Sequence, residues 1–137
     1  MQKIGFLAGN FDVFHPGYIR MFEDSKSVCD FLVVGLHEDP SLERPEKLSP
    51  VLSVADRVEM LLALRHVDRV LVYKTEADLV ALLRTINPDV RILGSDYKGR
   101  GYTGDHLGIP IHYHLRGHQW STTEFKKEIA KSLIDRL

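Results

Sequence analysis

Short apolar runs at residues 4–8, 31–36, 70–73, 90–93 and 109–115 alternate with amphipathic stretches, and this alternation narrows the architecture more than any other feature of the chain. The first run has no polar alternation, the pattern of a strand covered on both faces. Parallel strands can be joined only by crossover connections, which the amphipathic stretches would supply. The expectation is an α/β fold: a single Rossmann-like domain with a five-stranded, mostly parallel sheet and helices on both faces.

Helices are predicted in four places. One runs from residue 17, with Pro16 in its first turn and Ile19, Met21, Phe22 and Ser25 on one face. A second starts at a Ser53 cap facing Asp56 and runs through Arg65 on Val54, Val58, Leu61, Leu62 and Leu64. A third covers Glu76–Ile86 and is stopped by Asn87 and Pro88; the last spans residues 122–134. At 137 residues, 44% hydrophobic and net charge −1, the chain is expected to form one soluble domain over residues 1–137 without charge-driven affinity for nucleic acid. No apolar run approaches membrane-spanning length. The single Cys29 reads as a small core residue, and with a strand at the start it points to a reduced, cytoplasmic setting.

Open parallel sheets bind ligands beyond the carboxyl ends of their strands, here the loops 9–16, 37–52, 94–108 and 116–121. The segment GNFDVFHPGY at 9–18 leads a strand into a helix through a glycine-containing turn. Such a turn aims backbone N–H groups and the positive end of a helix dipole at one point, a place for an anion. His15 would sit there, able to donate to a phosphate oxygen. The same residues also suit a plain turn carrying a surface histidine. The loop 37–52 is long and polar, as functional or mobile loops are.

Ser121 and Glu124 have capping-box spacing, and the capped end would present the N–H groups of Thr122 and Thr123 to an anion. Arg57 and Arg65, eight residues apart on one predicted helix, share a face; their forks suit phosphate, while pairing of Arg57 with Asp56 or Glu59 explains them equally. His106, His112, His114 and His118 raise a metal site, but no carboxylate or cysteine stands at a supporting spacing. The face shared by His112 and His114 is therefore expected to meet solvent or a subunit.

The run at 9–18 resembles the GxFDxxHxGH motif of the HxGH nucleotidylyltransferases, most closely the glycerol-3-phosphate cytidylyltransferase group of the cytidylyltransferase family. Later segments match in order: Arg57, RHVDRV at 65–70, GSDYKG at 94–99 and RGHQWSTT at 116–123. The last is similar to the family's RTEGISTT, with Arg116, Ser121, Thr122 and Thr123 retained. The chain departs from the motif at Tyr18, where the family has its second histidine.

The resemblance implies transfer of CMP from CTP to a phosphorylated small alcohol, glycerol 3-phosphate first, giving a CDP-alcohol and pyrophosphate. It implies a catalytic set of His15, Tyr18, Lys47 and Arg116. The nucleotide would lie on Gly9, Asn10, Phe11, His15, Tyr18, Arg116, Ser121, Thr122 and Thr123. The acceptor would meet Asp12, Lys47, Arg57, Asp96 and Tyr97, with Asp12 orienting the loop or His15. Mg2+ would come with the triphosphate rather than on ligands of the protein's own, and the chain would form a homodimer with no nucleic-acid or membrane partner.

Two other readings stay open. The segment PDVRILGSDYKG at 88–99 also looks like the heptose-phosphate adenylyltransferases, which implies ATP and a sugar phosphate. A motif altered at Tyr18 also fits a nucleotide-binding regulatory module. A neutral phenol in place of a histidine forfeits on the order of 1.5–3 kcal/mol of charge-assisted hydrogen bonding, about tenfold to a few hundredfold in rate. An active, slowed enzyme is therefore expected, with Lys47 or His118 compensating.

Overall fold

The computed structural model describes residues 1–117 and 119–137. Its elements run β1 (Ile4–Gly9), α1 (Pro16–Ser27), β2 (Phe31–His37), α2 (Val54–Leu62), β3 (Arg69–Tyr73), α3 (Glu76–Ile86), β4 (Val90–Gly94), β5 (Ile111–His114) and α4 (Thr122–Ile134), with 3-10 turns at Pro40–Leu42, Ser95–Tyr97 and Asp105–Leu107. The strand order is β3-β2-β1-β4-β5, and every pair is parallel rather than most of them.

Alternation along each strand builds two cores. Leu7, Val34, Leu36 and Ile92 pack with Phe22 of α1 and Leu61 of α2 on one face. Phe6 and Val33 pack with Tyr73 and with Leu79 and Leu83 of α3 on the other. Cys29 lies in the first core as expected, so close beneath Gly5 that a side chain there would begin 2.7 Å from its sulfur. Burial pushes its thiol pKa up, which suits a packing role. Among the described residues no helix is long and apolar enough to cross a membrane.

Helix ends follow local chemistry. Thr75 and Asp78 form a reciprocal capping box that opens α3, and Asn87 in the left-handed region, φ 46°, closes it ahead of Pro88. The second helix is shorter than its apolar pattern predicts. It stops at Leu62 because Val67 is taken into the core and the Asp68 N–H donates to Leu32 O at 3.0 Å, which sets the start of β3. Arg65 is therefore exposed beyond the helix and shares no helical face with Arg57. Asp68 is structural: its carboxylate accepts from Leu32 N at 2.8 Å and pairs with Lys26, not with Arg65. Ile19 points away from the sheet and is exposed, while Gly17, Phe22 and Ser25 form the buried stripe of α1. The fifth strand begins at Ile111 rather than 109, after Pro110, whose ring nitrogen cannot donate to a ladder.

The crossover between β1 and β2 carries α1, and that between β3 and β4 carries α3 over the opposite face. Ligand space opens where the two directions diverge, at the carboxyl ends of β1 and β4.

Close packing at mid-sheet yields a test. A Cβ on Gly35 would meet Phe6 Cζ at 2.6 Å and Tyr73 Cε1 at 3.4 Å. Gly35→Ala is expected to cost about 1–3 kcal/mol of overpacking strain, read as a lower denaturant midpoint with an unchanged slope.

Candidate active site

The turn after β1 is drawn tight by an aromatic ring. Phe11 has φ 45°, and its ring folds back so closely that a Cβ on Gly9 would stand 2.9 Å from Phe11 Cζ. The glycine is needed for this approach. The Phe11 side chain, expected on the nucleotide, is buried against Tyr18 and Phe22, with ring centroids 5.4 Å apart in both cases, so its ring belongs to the core.

Asp12 is fully buried. Its carboxylate accepts from Val51 N at 2.7 Å and Leu52 N at 2.8 Å and pairs with Lys126 Nζ of α4 at 2.6 Å. Burial opposes its ionisation, but the Lys126 ammonium and the two amides outweigh that penalty and hold its pKa below the ordinary aspartate value. It anchors the long loop and α4; it is not an acceptor ligand.

His15 caps α1, its Nδ1 accepting from Gly17 N at 3.1 Å. A ring that accepts at Nδ1 carries its proton on Nε2, so His15 presents an N–H donor at 3.2 Å from Thr122 Oγ1. Tyr18 stacks on His15 with centroids 4.2 Å apart and rings within 16° of parallel, and its hydroxyl bonds the same Thr122 oxygen. Burial, with a smaller push from Asp12, raises the Tyr18 pKa against the pull of Thr122 and Arg116, so the phenol stays a neutral donor. Trp120 lies nearly parallel to His15 at 5.5 Å. Arg116 is exposed and donates to Trp120 O at 2.9 Å. Ser121 caps α4, but the reciprocal half of the box is unmade, because Glu124 turns to Lys127 at 3.3 Å.

His15, Tyr18, Asp96, Arg116 and Thr122 thus line one cavity of 170 Å³. It meets a larger cavity of 840 Å³, the two sharing Met21 and Gly94. Gly9, Asn10, Lys47 and Tyr97 line the larger space, so Lys47 stands apart from the cavity that holds His15. Thr123 is exposed and lines neither. A third cavity of 400 Å³ lies on Trp120, Ser121 and Phe125.

Arg57 is not a ligand. It is 1% exposed and donates from Nε to Leu52 O at 3.1 Å, from Nη1 to Asn10 O at 3.0 Å and His37 O at 2.9 Å, and from Nη2 to Glu38 O at 2.6 Å. The pair His112 and His114 grips Asp24 of α1, at 3.2 and 2.8 Å, so that strand face meets a helix instead of solvent or a subunit. His106 lies elsewhere, 3.5 Å from Arg84, and His118 is outside the described residues. Among the described residues, the three groups near enough to share an ion are His37, Glu43 and Glu76, which already bond Lys74 O, Glu76 N and Arg44. Lys126, Trp120 and Arg91 escaped the sequence reading. Lys126 was findable, since Thr122, Phe125 and Lys126 share a helix face at i, i+3 and i+4.

An all-parallel sheet in this order, with a histidine-capped helix after β1 facing the N-terminus of α4, defines the nucleotidyltransferase class. The cytidylyltransferase-like family pattern matches residues 6–128, and the chain belongs to that family. It is 42% identical over 103 residues to the bifunctional protein HldE of Hyphomonas neptunium, covering 74% of this chain and 21% of that protein. To the Helicobacter pylori (strain HPAG1) bifunctional protein HldE it is 31% identical over 135 residues, 98% of this chain and 29% of that one. The chain therefore spans less than a third of these relatives. The lipopolysaccharide core biosynthesis protein of Thermoplasma volcanium superposes with a TM-score of 0.66 at 25% identity, over 82% of this chain and 94% of that one.

Asp12 sets a prediction in acid. Its pKa is lowered by folding, so the stability it contributes is complete above the unfolded value and is lost as pH falls through the folded one. Asp12→Asn should cost about 3 kcal/mol at pH 7 by stranding Lys126. The gap to wild type should start to narrow below about pH 4 and close only as pH falls through the lowered folded value, as measured by thermal melts across pH.

Proposed function

We propose that this chain transfers AMP from ATP to a sugar phosphate of the heptose-phosphate kind, releasing pyrophosphate. The observation that carries it is the convergence of His15 Nε2, the Tyr18 hydroxyl and Thr122 Oγ1 on the cavity that also holds Arg116 and Asp96. The adenylyl choice over the cytidylyl one draws support from the similarity to HldE proteins and to the lipopolysaccharide core biosynthesis protein, and from the 88–99 segment.

In this reading the acceptor phosphate, already ionised, attacks the α-phosphorus of the triphosphate in line and pyrophosphate leaves, so no general base is required. His15 Nε2–H and the N-terminal amides of α4 donate to phosphate oxygens, and Arg116 offsets the charge that builds on them. Tyr18 contributes one neutral hydrogen bond. Trp120 and Phe125 offer aromatic faces to the base. Mg2+, which supplies charge neutralisation when bound, would be held by the nucleotide's own phosphates, with Asp96 the carboxylate lining the cavity and Asp12 already spent. A homodimer belongs to this reading, with the exposed Met60 and Leu62 of α2 and Val72 of the edge strand β3 as its surface.

Pyrophosphate release with Mg2+ across ATP, CTP, UTP and GTP against phosphorylated sugars and alcohols tests the reading. ATP with a sugar phosphate is the expected pair. Preference for CTP with glycerol 3-phosphate would restore the cytidylyl assignment, and nucleotide binding without release for any pair would favour a regulatory module. Restoring the motif by Tyr18→His is expected to raise kcat about tenfold. An unchanged or lower kcat would mean that tyrosine costs no rate here.

A further inference from the structure

Arg91 is a cation in the middle of a sheet. It lies on β4 between Phe6 of β1 and Ile111 of β5, on the face covered by α3, and is 4% exposed. Among the described residues it makes no ion pair. Its Nη1 donates to Thr103 O, its guanidinium stands 5.3 Å from the Tyr102 ring, and its Nε has no hydrogen-bond partner. A buried charge without a counter-ion is expensive, and a fold gains from one that arrives with a ligand.

The surroundings favour an anion. Arg91 lines the 840 Å³ cavity together with Lys47, Arg100, Arg44, Glu76 and Asp105. Arg44 is committed to Glu76 at 3.4 Å, which leaves Lys47, Arg91 and Arg100 facing Asp105. Arg116 and the donors of the smaller cavity serve the reacting phosphate, and the remainder of the triphosphate would draw on Lys47 beside Gly9 and Asn10, which leaves Arg91 and Arg100 without an anion of their own.

We propose that the larger cavity is a subsite for a second anionic group on the acceptor, remote from the phosphate that reacts, and that Arg91 selects for it. The inference rests on the sugar-phosphate reading above. The acceptor would then be a sugar phosphate bearing a further phosphate or a carboxylate, with its reacting end at the Gly94 junction.

Calorimetric titration of the whole chain tests this with glucose 1-phosphate, glucose 1,6-bisphosphate and glucuronic acid 1-phosphate. The bisphosphate is expected to bind about tenfold tighter than the monophosphate, and Arg91→Met and Arg100→Ala should bring that ratio towards one. Tighter binding of the uronate as well would mean that any anion serves; a gain for the bisphosphate alone would mean that phosphate is selected. ATP titrated into each variant reports on its folding, and the exposed Arg100 decides the matter if Arg91→Met does not fold. A wild-type ratio of one, or a ratio untouched in the folded variants, would overturn the proposal and leave Arg91 as a staple for the loop at Thr103. If no sugar phosphate releases pyrophosphate while the binding ratio persists, the transfer reading fails and the subsite stands. Release without discrimination gives the reverse.

Discussion

Two buried charges hold the candidate site in shape. Asp12 accepts from the amides of Val51 and Leu52, while Arg57 donates to the carbonyls of Asn10, His37, Glu38 and Leu52. Between them they satisfy backbone groups from both ends of the loop 37–52 and from the turn after β1, which would otherwise be buried unpaired. Burial lowers the Arg57 pKa against the pull of Asp12, Asp39 and Glu38, yet guanidinium basicity is high enough for the charge to persist. The loop can thus run long and irregular without losing its anchorage.

The same frame reaches α4, none of whose residues is buried. Lys126 on Asp12, Thr122 under the His15 and Tyr18 side chains, and Phe125 edge-on to His15 join the helix to the turn after β1. These joints are made by residues of the candidate site or by residues adjoining it. The N-terminal amides of α4 are therefore positioned by the side chains that would share a phosphate with them.

Regular structure was legible because it is written in local patterns. Strand runs, the Pro16 start, the Asn87–Pro88 stop and the Ser53 and Ser121 caps need only neighbours in sequence. The motif loops gathered on one sheet edge for the same reason: strand ends locate them. Roles of single residues were less legible. Arg57 carries the residue type of a phosphate site, and only long-range packing reveals that its donors are spent on backbone, whereas the loop-orienting role expected of Asp12 is the one its carboxylate fills. Arg65 missed its helix because Val67 and Asp68, not the apolar pattern of α2, decide where that helix ends. The partner of His112 and His114, Asp24, lies some ninety residues earlier and has no signature near them.

Tyr18 shows how a motif can change a letter and keep its geometry. The phenol fills the space beside His15 by stacking, bonds Thr122 with its hydroxyl and meets Phe11 and Phe14 edge-on. A histidine there would make the ring contacts less well but would bring a second titratable donor. Tyrosine therefore exchanges charge for packing at a position where α4 has few other attachments. Among the described residues, positive charge at the small cavity then falls to the exposed Arg116. Because its guanidinium is held by the Trp120 carbonyl, the placement of that charge depends on the loop that carries the aromatic wall.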